Sequence, residues 1–229
     1  MPAPPMADPV SVRLWDGPVR VVHWALVLLL GFSWWTAETG RMEWHRYSGL
    51  LVLALLVFRI YWGFAGAGAA RFASFVRGPA TVATYIRTLG SRTGSAAPGH
   101  NPLGALSVLA ILLALAIQVI TGLFAVDIDG LESGNLSHWV SFETGRVAAS
   151  IHELSFAALQ ILAITHVAAV VFYLVWKRTN LISPMITGRG RLATDPVYPR
   201  APVWRLVLGA VAAFALMAWV SKGMPPLQF

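Results

Sequence analysis

Six histidines are the residues of this 229-residue chain best suited to chemistry, and the chain has no cysteine. An imidazole can ligate a metal, relay a proton or, within a membrane, hold two helices together through a hydrogen bond. The missing thiols exclude thiolate zinc sites, iron–sulfur clusters and covalently attached c-type haem. Spacing narrows the choice further. His152 and His166 are 14 residues apart, just under four turns of α-helix, so both point to nearly the same face, roughly 21 Å apart along it. His45 and Arg59 repeat the same interval.

The elements that carry these residues are membrane spans. Hydrophobic residues make up 57% of the chain and charged residues 12%, where a soluble domain has about a quarter charged. That excludes a soluble enzyme, a secreted disulfide scaffold and a disordered tail. Five segments are apolar over the ~20 residues a bilayer crossing needs: Arg20–Ala37, Tyr47–Gly66, Leu103–Val126, Ile151–Trp176 and Trp204–Val220. The stretch ahead of the first is proline-rich and has no basic n-region, and no small-residue cleavage site follows the helix. It is expected to be retained rather than removed as a signal peptide. The net charge of +7 does not mark a nucleic-acid binder, because it is sorted by side. Twelve of the 17 Lys and Arg lie on one side of the membrane and four on the other, with Arg59 inside a span. The positive-inside rule then predicts a cytoplasmic N-terminus and, after an odd number of crossings, a periplasmic C-terminus. Seven of the ten acidic residues fall on the outer side.

Depth now sorts the histidines. His23 lies near the inner end of the first span and His166 well inside the fourth. His45 precedes the second span and His152 starts the fourth, both on the outer side. The reading is two pairs, His45 with His152 at the outer level and His23 with His166 at the inner level. Each pair could hold a metal or a haem iron from both axial sides. Zinc would want further ligands, and no Cys, Asp or Glu stands at the inner level within the helices. Non-covalent b-type haem needs only the imidazoles, a slot between helices and counter-ions for two propionates. Gly49, four residues after His45, offers the slot. Arg59 at the inner level and Arg46 at the outer level offer the counter-ions. Arg20 and Lys177, near the inner level, are candidate groups of a quinone pocket. The competing readings are that Arg59 snorkels to lipid headgroups and that the histidines only bond helices together. His100 and His138 read as interfacial or solvated, and the tryptophans near span ends as an interfacial belt.

Between the second and third spans, Phe72, Phe75, Val76, Val82, Tyr85, Ile86 and Leu89 recur at the spacing of an amphipathic helix broken near Gly78-Pro79. That pattern suits a segment lying in the inner interface. Arg92 to Pro98 reads as a flexible link. The chain is expected to divide into a core over 1–188 and a linker with a C-terminal span over 189–229. No internal repeat and no span with a central proline supports a haem-free transporter.

The segments WDGPVRVVHW, HRYSG, FRIYWGF, ARFASFVRGP, NPLG, QVITGLF, IHELSF, THVAAV and NLISPMITGR resemble the bacterial cytochrome b561 family, close to the b-type cytochrome subunits of nickel–iron hydrogenases. The resemblance implies an all-α membrane protein, a four-helix transmembrane dihaem bundle, here with a fifth C-terminal transmembrane helix. By motif position it implies two haem b groups on His23, His45, His152 and His166. It further implies electron exchange with membrane quinone in the bacterial inner membrane. The expected function is electron transfer between the quinone pool and a periplasmic redox partner such as a c-type cytochrome, which the acidic outer side would attract. The alternatives are a quinone-reducing membrane subunit of a hydrogenase-like complex and an oxidoreductase of a small periplasmic substrate such as superoxide.

Overall fold

The helices begin where the sequence supplies caps for their unpaired amides. Asp16 accepts from the Val19 amide at 2.9 Å and starts α1 (Gly17–Glu38) with Pro18 in its first turn. After α1, Gly40 at φ +67° turns the chain into α2 (Met42–Ala65); an L side chain is strained in that conformation. Asn101 accepts from the Gly104 amide at 2.8 Å ahead of Pro102 and starts α5 (Pro102–Phe124). Ser141 caps α6 (Phe142–Val175) through the Thr144 amide. These side-chain caps satisfy donors that a helix cannot pair for itself.

These elements come from a computed structural model that describes residues 10–92, 99–192 and 200–225. The shorter elements are β1 (Val10–Arg13), α3 (Phe72–Phe75), α4 (Pro79–Arg87), α7 (Ile182–Thr187) and β2 (Arg189–Leu192), and the last helix is α8 (Val203–Ser221). Five helices, α1, α2, α5, α6 and α8, are long and apolar enough to cross a membrane. The protein is an all-α, multi-pass membrane protein. The expected link over Arg92 to Pro98 falls, apart from Arg92, outside the described residues.

Packing sets the places of the histidine-bearing helices. α1 packs on α2, α5 packs on α6, and α2 joins the two hairpins by touching α5. Leu50, Leu53 and Leu56 of α2, Leu115 and Val119 of α5 and Leu159 of α6 form the shared core. The seam between the α1/α2 hairpin and α6 is crossed by ring contacts instead, among them Trp34 with Phe156 at 6.1 Å.

Two features differ from the sequence reading. The fourth span starts at Phe142 rather than Ile151, so His152 is the eleventh residue of α6 and not its first. Hydropathy is blind to the added turns because they carry Glu143, Thr144 and Arg146. Their helix is set by the Ser141 cap, by Glu143 near the positive N-terminal end, and by Gly145, whose Cβ would stand 2.5 Å from Val126. At about 1.5 Å per residue, 34 residues span about 51 Å and project beyond a ~30 Å hydrocarbon layer.

The second difference is a small antiparallel ribbon, Val10 opposite Leu192 and Arg13 opposite Arg189. One segment precedes the first span and the other lies in the linker, and a pair of four-residue strands whose partners are 176 to 182 positions apart leaves no periodic signal. Val12 and Leu192 are buried in it. The ribbon ties the core to the segment placed beyond residue 188.

The fifth span is present as expected and packs along α2. Gly209 lets it approach: a Cβ there would stand 2.5 Å from the Tyr61 ring. Phe58, Trp62 and Ala213 close the contact. In the linking segment, α3 and α4 break at Val76–Gly78 with Pro79 opening α4, as the sequence pattern predicts.

Candidate functional site

The two histidines that the sequence reading assigns to the outer level are each fixed by a carbonyl oxygen of a neighbouring helix. His45 Nδ1 donates to Ser33 O of α1 at 2.9 Å, and His152 Nδ1 donates to Gln118 O of α5 at 2.8 Å. A carbonyl can only accept, so the proton of each neutral ring sits on Nδ1 and the lone pair on Nε2. Anchoring of the second ring nitrogen is the usual way a ligating imidazole is oriented. The two ring centroids are 6.0 Å apart and the planes nearly perpendicular, at 86°. Gln118 completes this end: its amide Nε2 lies 3.0 Å from His152 Nε2, and Ser155 Oγ donates to its Oε1. An iron at His152 Nε2 would displace that amide.

A glycine makes room beside His45. Nothing lies within 4 Å of a Cβ built at Gly49, about one helical turn further along α2. Gly122 is the opposite case, since its Cβ would stand 2.7 Å from His152 Cε1. The ring therefore rests on the α5 backbone.

At the inner level the structure brings His23 of α1 and His166 of α6 together, with centroids 6.4 Å apart at 54°. His23 Nδ1 is buried without a partner. Two imidazoles on opposite sides of one metal, at bonds of about 2.0–2.1 Å, put their centroids roughly 6 Å apart. Both pairs fit that spacing. Among the described residues no group of three or more His, Asp or Glu is placed to hold a metal ion. The donor set is therefore imidazole alone, two by two, which suits haem iron and not a multi-ligand zinc site.

The arginines separate. Arg59 is only 7% exposed, its guanidinium carbon 5.2 Å from the Phe72 ring centroid and its Nη1 sealed without a partner. It is inside the protein and does not snorkel to headgroups. Arg46, by contrast, is committed to Glu132 of the outer loop by an ion pair. Arg20 donates to Ile186 O and, with Trp24 bonded to Met185 O, fastens α7, although its Nε is left unpaired. Lys177 is buried, and its ammonium donates to Thr88 O and Ser91 O just past α4. It stitches the end of α4 to the end of α6.

His100 is a correction. It is not solvated, but lies between Trp15, edge-on at 4.7 Å, and Phe75, tilted at 4.6 Å, with Nδ1 buried. Burial, and then the charge of Arg59 with those of His166 and His23, hold its pKa down to about 3. It is a neutral imidazole at the inner level. Sequence reasoning missed it because it stands outside the apolar run, one residue before the Asn101 cap. His138 Nε2 is 3.2 Å from Gly223 O, and Trp139 Nε1 donates to the same oxygen. Both hold the outer loop to the end of α8.

Residues 14–188 match the family of prokaryotic cytochrome b561. The chain belongs to that family. Neither a curated protein nor a solved structure matches it. As a prokaryotic cytochrome b561 it is a b-type cytochrome that binds haem b and transfers electrons in a membrane. The family match begins just past β1 and ends before β2, so the ribbon and α8 are additions to the shared core. All four paired histidines, with Arg59 and His100, lie inside the matched stretch.

Proposed function

We propose that this cytochrome b561 holds two haem b groups and carries electrons across the bacterial inner membrane between the quinone pool and a periplasmic redox protein. The single observation that carries the reading is the doubled imidazole pair, 6.0 Å apart at one level and 6.4 Å at the other. When bound, each haem supplies one-electron Fe(III)/Fe(II) exchange.

The chain's own residues divide the remaining work. His45 and His152 are the outer ligands, their rings held by Ser33 O and Gln118 O. His23 and His166 are the inner ligands. One helix, α6, contributes to both levels, so the 14-residue interval sets the separation at roughly 21 Å. Gly49 leaves the space beside His45 that a macrocycle needs. Arg59 offsets cofactor carboxylate charge at the inner level.

The positive-inside count supports a cytoplasmic N-terminus. It puts Glu38, Glu43, Asp129 and Glu143, all exposed, on one periplasmic face. That face suits a basic partner such as a c-type cytochrome, through steering of the encounter rather than tight binding. Glu132 contributes less, because Arg46 already neutralises it.

The test is the dithionite-reduced minus oxidised spectrum of the purified protein. We expect b-type bands and about two haems per chain. A colourless preparation, or one haem per chain, would contradict the proposal.

A further inference from the structure

Unpaired buried polar atoms gather at one end of this protein. Among the described residues five side-chain atoms are sealed without a hydrogen-bond partner, and four of them, Arg20 Nε, His23 Nδ1, Arg59 Nη1 and His100 Nδ1, lie at the inner level. Burying a charge unpaired costs several kcal/mol, by order of magnitude, so such a cluster marks a place where an anion belongs.

Asp16, at the start of α1, is an anion at this end of the chain, but it is already occupied. Its Oδ1 accepts from the Val19 amide at 2.9 Å and its Oδ2 from Trp62 Nε1 at 2.8 Å. No ion pair joins it to Arg59 among the described residues. His100 lies at the same end of the protein, packed on Trp15 and Phe75 with its Nδ1 buried without a partner. A ladder of rings links the two: Arg59 lies over Phe72, Phe72 meets Phe75 at 5.8 Å, and Phe75 meets His100 at 4.6 Å. One cation and one imidazole, each with a buried nitrogen left unpaired, thus stand on two different elements at the end of the protein that holds the His23–His166 pair.

We propose that Arg59 and His100 together form the carboxylate seat of the inner cofactor, Arg59 supplying the charge and His100 Nδ1–H a second hydrogen bond to one haem propionate. The inference rests on the two-haem reading and adds a residue to it. A charge-assisted bond from Arg and a neutral bond from His hold a carboxylate in one orientation. They also fix the rotation of the macrocycle between its two ligands. Loss of either donor leaves the carboxylate more negative beside the iron, which favours the ferric form.

The experiment is a redox titration of the purified holoprotein, with haem content measured on the same samples. His100→Leu and Arg59→Gln should each lower the reduction equilibrium of the inner haem at least tenfold, about 59 mV for one electron, and leave the outer haem within threefold. His100→Asn keeps a donor near the Nδ1 position and should stay within threefold of the parent at both haems. The inner haem is identified as the one lost in His23→Ala. If His100→Leu loses the inner haem outright while His100→Asn keeps it, the proposal stands. It is overturned if both haems of His100→Leu titrate within threefold of the parent, if the outer haem shifts instead, or if His100→Asn behaves like His100→Leu. A parent protein without haem would overturn the two-haem reading itself. A parent with two haems, insensitive to His100, would overturn only the seat.

Discussion

A neutral imidazole has one donating and one accepting nitrogen, and which is which depends on what the ring leans on. Ser33 O and Gln118 O settle that for His45 and His152, at a cost of nothing but two carbonyls on adjacent helices. The surrounding glycines can be tested separately from the ligands. A Cβ at Gly49 meets nothing within 4 Å in the protein alone, so the fold should tolerate Gly49→Leu while the outer haem is excluded. The expected result is about one haem per chain with thermal stability of the haem-free protein unchanged; two haems would mean the space is not the slot. Gly122→Val pushes on a ring 2.7 Å away. It should weaken the outer haem and spare the inner one, read as haem lost on dilution. The four paired histidines were legible in the sequence because depth follows directly from position along a span. Gln118, Gly122 and His100 were not, since contact between helices depends on rotation about each axis, which hydropathy does not fix.

Elements act here as rulers and clamps. The 14-residue interval in α6 is the ruler, and α1 and α2 each bring one ring to one of its two marks. The existence of five spans could be read from composition, and their ends to within a few residues, except where polar turns extend α6. The ribbon β1/β2 could not, because pairing across 176 to 182 positions is decided by tertiary packing alone. Helices in lipid associate by close packing of small residues rather than by expulsion of water, and α8 uses Gly209 and Ala213 in that way. Gly209→Leu should force α8 off α2 at a cost of about 1–3 kcal/mol, seen as a lower thermal midpoint in detergent. Haem content should remain unchanged, because α8 carries no ligand. Loss of haem in that variant would assign α8 a part in the cofactor site.

For the whole molecule, orientation decides what each level faces. Basic residues gather at the ends that carry α4, α7 and the ribbon, and exposed acids at the opposite ends. The chain has no cysteine, so single cysteines can be placed freely. A cysteine in place of Asp129 should react with a membrane-impermeant maleimide in intact cells, and one in place of Arg77 only after lysis. The reverse pattern would turn the protein over and exchange the inner and outer assignments. The family match reaches residue 188 and covers the elements that position all four rings. The fold of the core and the membership were therefore both within reach of the sequence, whereas the paths into and out of the bundle are matters of surface that no motif records.

The claim on which everything else depends is that the rings act in two pairs, one drawn from α1 and α6 and the other from α2 and α6. The most direct measurement is the difference spectrum and redox titration of four single variants, His23→Ala, His166→Ala, His45→Ala and His152→Ala. The account predicts that the first two lose one and the same haem and the last two lose the other, each keeping the remaining centre at its parental potential. If His23→Ala and His45→Ala abolish the same centre, or if all four retain two haems, the pairing is wrong.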